Sequence, residues 1–236
     1  MADIIDKTRE RLYQMSDPDY RDFQAPLMPN IPKEQIIGVR VPLLRKLAKQ
    51  MLCDGSGISY LRTCSLPHDT YDENNLHAFL LEGLTDFDDC ITELERFLPY
   101  VNNWATCDMM APRILKTQPL HLLAAIRVWL TSDAEFTVRY GLVMLMRHFL
   151  GESFTPEILT LAASVTHDGY YVRMAVAWLF AEALAMRWDD TYPFLVREEL
   201  PLWTRKKAIQ KALESHRLTD AQKAQLRTLR EEMKTQ

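Results

Sequence analysis

The chain has 236 residues, 47% hydrophobic and 25% charged with a formal net charge of −4, the profile of an ordinary globular protein with a sizeable core. Its 7 glycines are under half the usual ~7%, and neither GxGxxG nor GxxxxGK[ST] occurs, which disfavours hairpin-rich sheets and removes the two common nucleotide cradles. The opening MADIIDKTRERL is charged from the third residue, and no run approaches the ~18 apolar residues of a membrane span. The expectation is therefore a cytoplasmic protein, nucleoid-associated if bacterial, with no membrane partner.

Apolar residues recur at three and four spacings from end to end, so an all-α fold is expected. The predicted helices are 2–15, 41–53, 56–64, 71–84, 87–100, 103–116, 119–131, 135–150, 155–165, 169–186, 189–199, 202–215 and 219–234. Asp86, Thr155, Asp168 and Thr219 stand where N-caps belong, and Pro119, Pro156 and Pro201 fall in first turns or connections. The stretch 16–40, with Pro18, Pro26, Pro29 and Pro32, is the least regular.

Part of this pattern repeats. Phe136-Thr-Val-Arg139 and its apolar continuation align with Tyr170-Tyr-Val-Arg173 at an offset of 34 residues, and Trp203-Thr-Arg205 follows at an offset of 32. Trp104 to Asp108 lies about one period earlier. A period in the mid-thirties made of two helices is the signature of an α-solenoid, whose helix pairs bury their faces against neighbouring pairs. We expect one domain over 1–236, with 1–40 as an irregular N-terminal helical cap, 201–236 as basic C-terminal helices and a concave basic face.

Charge is distributed unevenly along this array. Residues 201–236 carry nine Lys/Arg against four Asp/Glu, a local balance of +5 in a chain that is −4 as a whole. A basic surface of this kind suits phosphate, because each cation that contacts it releases condensed counterions. The candidates for DNA contact are Arg139, Arg173, Arg205, Lys206, Lys207 and Lys211. Arg147 and His148 could extend the stripe, whereas Arg40, Arg45 and Lys46 read as the basic flank of a helix start.

Trp104 and Asp108, spaced i, i+4, share one helix face one turn apart, and Trp178 comes from an equivalent helix further along. WATCD (104–108), VRYGL (138–142), YYVRMAVAW (170–178) and IIGVRVPLLRKLAK (36–49) resemble the AlkD-type DNA alkylation repair family, HEAT-like-repeat DNA glycosylases that remove alkylated purines. The resemblance covers nearly the whole chain. It implies that Trp104 and Trp178 pack on deoxyribose and backbone around the lesion, that Asp108 is the catalytic carboxylate and that Arg139 holds a flanking phosphate. It also implies a monomer acting on double-stranded DNA with alkylated bases, without cofactor or metal and without drawing the base into a pocket. The sequence departs from the family pattern at Ala105, where an aspartate is often found, at Ala181, where a basic residue is expected, and in a longer linker, LMPNIPKEQII, before Gly38. These departures suit the alternative of a non-catalytic module binding damaged or branched DNA. A protein-binding scaffold is the third possibility.

Other chemistry has little support. His68, His77, His121 and His148 lack a second ligand at metal spacing, and Cys53, Cys64, Cys90 and Cys107 form no CxxC pair and read as buried free thiols. Asp72 and Glu73 open a helix, where dipole complementarity accounts for both.

Overall fold

The structure, a computed structural model, describes residues 2–233. Among these the backbone is helical nearly throughout, and the only extended pairing is an isolated bridge between Ser16 and Val39. The fold is all-α, as expected, and consistent with an α-solenoid. No helix of the described residues is long and apolar enough to cross a membrane. The chain divides into two compact units, Met1–Gln118 and Pro119–Gln236.

The first unit contains α1 (Ala2–Gln14), α2 (Pro18–Gln24), α3 (Val41–Cys53), α4 (Ser56–Thr63), α5 (Tyr71–Leu81), α6 (Phe87–Phe97) and α7 (Trp104–Met109). Two expectations are corrected here. The irregular stretch holds a real helix, α2, begun by Asp17, whose carboxylate accepts the Tyr20 amide at 3.0 Å, with Pro18 in its first turn. The single helix expected over 103–116 stops at Met109, and only a 3-10 segment, Arg113–Thr117, follows. Pro112 supplies no N–H and pushes the residue before it out of the helical region, so an apolar period continues where the helix cannot.

α5 lies at the centre of this unit, against α1, α3, α4, α6 and α7, and every residue of it is buried. Its polar side chains are committed to its neighbours. Both oxygens of Asp72 accept backbone amides of the 36–40 segment, from Ile37 and Val39 at 2.7 Å each and from Gly38 at 3.3 Å. Gly38 holds φ +90, and a Cβ there would lie 2.5 Å from the Asp17 carbonyl oxygen, so glycine is required on both counts. Glu73 is gripped by Arg9 of α1 at 2.7 Å and by the Thr70 hydroxyl at 3.0 Å. Asp72 and Glu73 thus do more than complement a helix dipole.

The second unit contains α8 (Pro119–Trp129), α9 (Glu135–Phe149), α10 (Pro156–Ala163), α11 (Tyr170–Met186), α12 (Trp188–Val196), α13 (Leu202–Glu214) and α14 (Asp220–Glu232). α9, α11 and α13 are the helices related by the offsets of 34 and 32 residues, and α11 packs between the other two. Its buried residues, including Val172, Ala175, Ala177, Leu179, Phe180 and Leu184, are all apolar. Small alanines let neighbouring helices approach while the larger side chains fill the remaining space.

Caps follow the predicted chemistry in part. Asp86 accepts the Asp89 amide, and Thr219 forms a full capping box with Gln222. Thr155 occupies its N-cap position without a side-chain bond. Asp168 misses by one residue, because α11 is started from Gly169. There Glu135 of α9 supplies the acceptor instead, with Oε1 2.7 Å from the Tyr171 amide.

Candidate active site

α7 is short, and its position depends on its N-cap. Asn103 accepts the Thr106 amide at 2.8 Å and donates to the Thr106 hydroxyl at 3.0 Å. That hydroxyl in turn donates to Asn75 of α5 at 2.7 Å, which ties the helix to the buried centre of the unit. Trp104, the first residue, is partly buried, and its indole N–H donates to the Leu27 carbonyl at 3.1 Å. The indole packs beside a cluster of Met28, Ile31, Ile36, Tyr71 and Ala105, so the linker before Gly38 is the wall on which Trp104 rests.

Asp108 is partly buried in the last turn of the same helix. A carboxylate there faces the negative end of the helix dipole and cannot serve as an N-cap. The expected pairing of Trp104 with Asp108 on one helix is therefore present. Ala105, between them, is 5% exposed within the apolar cluster. An aspartate at that site would bury a charge among methionine, isoleucine and tyrosine, which accounts physically for this departure from the family pattern.

The remaining predicted residues lie in the second unit. Arg139 is buried at 7% exposure, and its Nη1 donates to the Tyr171 carbonyl at 2.8 Å. Glu135, one turn earlier on α9, accepts from the amide of that same residue, so the pair grips both polar backbone atoms of Tyr171. Arg205 is likewise buried at 4% exposure, donating to the Leu195 carbonyl and to Glu198, each at 3.2 Å. It holds the C-terminal turn of α12, beside Glu198 at φ 62.

The more accessible cations sit nearby. Arg173 stacks its guanidinium over Trp203 at 4.7 Å, and Trp203 meets the exposed Tyr170 edge-on at 6.1 Å. Lys206, Lys207 and Lys211 are partly exposed along α13, and Lys207 reaches Gln210 at 3.1 Å. Trp178 is partly buried in an open cleft of about 260 Å³ between α11 and α13, which it lines with Ala181, Glu182, Lys211 and Glu214. Trp178 and Lys211 are thus brought together, in company with two carboxylates. Arg40 and Arg45 are exposed and pair with Asp17 and Glu82, as helix-flanking cations should.

The sequence spacing concealed one cluster. Cys64, His68 and His77 come together at the end of α4, in the following loop and inside α5. Burial pushes the His68 ring down to about 4, helped by the charges of Arg9 and Arg96, and holds His77 well below the ordinary histidine range. Burial also raises the Cys64 thiol, against the pull of Arg96. No short motif marks the trio, because the two histidines are nine residues apart and meet only when the loop folds back on α5. Of the four thiols, Cys53 is exposed at the end of α3, contrary to expectation, and the others are buried.

A sequence model of the DNA alkylation repair enzyme family matches residues 8–212. The chain belongs to that family. The match takes in α7, the α9–α11 grip and nearly all of α13, so each candidate residue of this DNA alkylation repair protein lies within the matched span. No curated protein matches the chain closely enough to add to that assignment. Membership supports a role in alkylation repair, with DNA as the partner.

Proposed function

We propose that this repair-family chain is a DNA glycosylase that hydrolyses the N-glycosidic bond of N3- or N7-alkylated purines in duplex DNA. On this proposal a HEAT-like helical array follows the duplex with a basic concave side and acts as a monomer. The observation that carries it is α7, which sets Trp104 and Asp108 one turn apart with the carboxylate at the helix's negative end. An alkylated purine of this type is already a cation. When the bond from C1′ to the base breaks, its electron pair moves onto the purine nitrogen and the base leaves neutral, so no general acid is needed. Positive charge passes to the sugar, and water adds at C1′ and loses a proton. Asp108 stabilises the sugar cation and accepts that proton, while the electron-rich indole of Trp104 flanks the same charge. One carboxylate then suffices where O-glycosidases use two.

Trp178 supplies a second aromatic contact to the backbone. Lys206, Lys207, Lys211 and Arg173 supply phosphate contacts. Arg139 and Arg205 contribute from within, by fixing the helices that bear those cations.

The test is release of 7-methylguanine from duplex DNA. Asp108→Asn should reduce release by at least ~100-fold and leave DNA affinity nearly unchanged, the signature of a group used only in the transition state. The buried alanines at 105 and 181 favour a second reading, a module that binds damaged or branched DNA without cleaving it. That reading stands if the folded wild type binds such DNA with strong salt dependence and releases no base.

A further inference from the structure

Three potential metal ligands meet where the loop after α4 folds against α5, well removed in sequence from α7. The Nδ1 atom of His77 lies 2.9 Å from Nε2 of His68 and 3.7 Å from Sγ of Cys64. All three ligand atoms fall within 4.8 Å of one another. Nδ1 of His77 therefore faces a second imidazole nitrogen and a thiol sulfur, while the Leu61 carbonyl lies 3.5 Å from the same sulfur.

A cation placed among the three groups would take a lone pair from each. Tetrahedral coordination at zinc bond lengths of ~2.0–2.3 Å separates N from N by about 3.3 Å and N from S by about 3.6 Å. The His77–His68 and His77–Cys64 spacings are within a few tenths of an ångström of these values, and the third pair lies within 4.8 Å.

The surroundings fit a thiolate and two fixed imidazoles. His77 stacks on Phe97 of α6 with centroids 4.0 Å apart, and His68 lies against Tyr60 at 6.0 Å, so both ring planes are set by packing. Arg96 approaches the sulfur at 3.7 Å while paired with Glu93 at 2.9 Å, which places a donor and a balanced charge pair beside the third ligand. Cys64 and His68 line a cavity of about 240 Å³ together with Arg9, Tyr60, Asp69 and Glu73. Tyr60 is fully buried there, and its hydroxyl has no hydrogen-bond partner. Buried polar groups of this kind are satisfied by something in the space they line.

We propose that Cys64, His68 and His77 form a zinc site with three protein ligands and a fourth coordination position open to this cavity. One thiolate with two imidazoles selects a borderline-soft ion, zinc ahead of magnesium or calcium. The site joins the end of α4, the loop after it and the middle of α5, and it requires neither DNA nor the α7 carboxylate.

The experiment is metal titration of the full chain after chelator treatment, with zinc measured against an indicator dye and cobalt read by absorption. Wild type should take up one equivalent of either ion, and the cobalt form should show a thiolate-to-metal charge-transfer band. Cys64→Ser should abolish that band and weaken zinc binding at least ~10-fold. His68→Gln, at a partly exposed loop position, should weaken zinc binding by a similar factor with an unchanged circular-dichroism spectrum. Cys53→Ser, at the exposed thiol, should alter nothing. The proposal is overturned if folded wild type takes up no stoichiometric metal, or if His68→Gln binds zinc as wild type does.

Discussion

α5, in the first unit, is buried from Tyr71 to Leu81 and includes Asp72, Glu73, Asn74, Asn75 and His77, whereas α11, in the second, buries only alanine, valine, leucine and phenylalanine. The difference follows from what each helix is packed against. Around α5 run non-helical segments whose amides have no ladder of their own, and Asp72 alone satisfies those of Ile37, Gly38 and Val39. Around α11 the neighbours α9 and α13 are regular helices that satisfy their own backbones, so shape is what remains to be matched. Polar groups enter there at the ends of α11, through Glu135 and Arg139 at its start and through Arg187, which follows its last residue and donates to the Leu150 carbonyl.

Near-isosteric changes should separate the two designs sharply. Asp72→Asn replaces one acceptor oxygen with an amide donor facing backbone N–H groups, and should cost about 3 kcal/mol of unfolding free energy in a denaturant titration. A loss under about 1 kcal/mol would mean that the 36–40 segment holds its shape without that carboxylate. Arg139→Met leaves the Tyr171 carbonyl without the guanidinium, and should cost about 2 kcal/mol in the protein alone, with no DNA present. Unchanged stability would free Arg139 for the phosphate contact that the family resemblance implies. The smallest effect should come from Leu179→Met in the apolar core of α11, below about 1.5 kcal/mol because volume is nearly conserved. A cost comparable to that of Asp72→Asn would show that α11 is as exacting as α5, and would erase the contrast.

The periodicity that revealed the helices is a property of half-buried segments, and it worked where a helix has one buried face. The offsets of 34 and 32 residues identified α9, α11 and α13 because an aromatic residue shortly ahead of an arginine recurs near the start of each, although Arg139 and Arg205 are buried and Arg173 is half-exposed. Periodicity gave less at α2, where four prolines in the surrounding stretch masked one short helix, and at Pro112, where the apolar pattern ran on past the last helical residue.

At the site, Trp104 and Asp108 were legible because i, i+4 spacing converts directly into geometry. The buried state of Arg139 and Arg205 was not legible. An arginine on a surface and an arginine bonded to a neighbouring helix's carbonyl look alike in sequence, and only the partner, 32 residues away for Arg139 and 10 for Arg205, distinguishes them. The Cys64, His68 and His77 trio escaped for a similar reason, since its ligands straddle a loop whose path no local rule specifies.

The grip on Tyr171 has one more implication. Glu135 and Arg139 hold an amide hydrogen and a carbonyl oxygen, groups that nearly every residue type possesses, and neither touches the tyrosine ring through these bonds. The backbone part of the contact between α9 and α11 is therefore keyed to the peptide unit, while the Tyr171 ring adds a side-chain contact of its own, 5.0 Å from the Phe136 ring of α9. A change of ring at position 171 would lose that packing and leave in place the two backbone bonds that align α11 on α9.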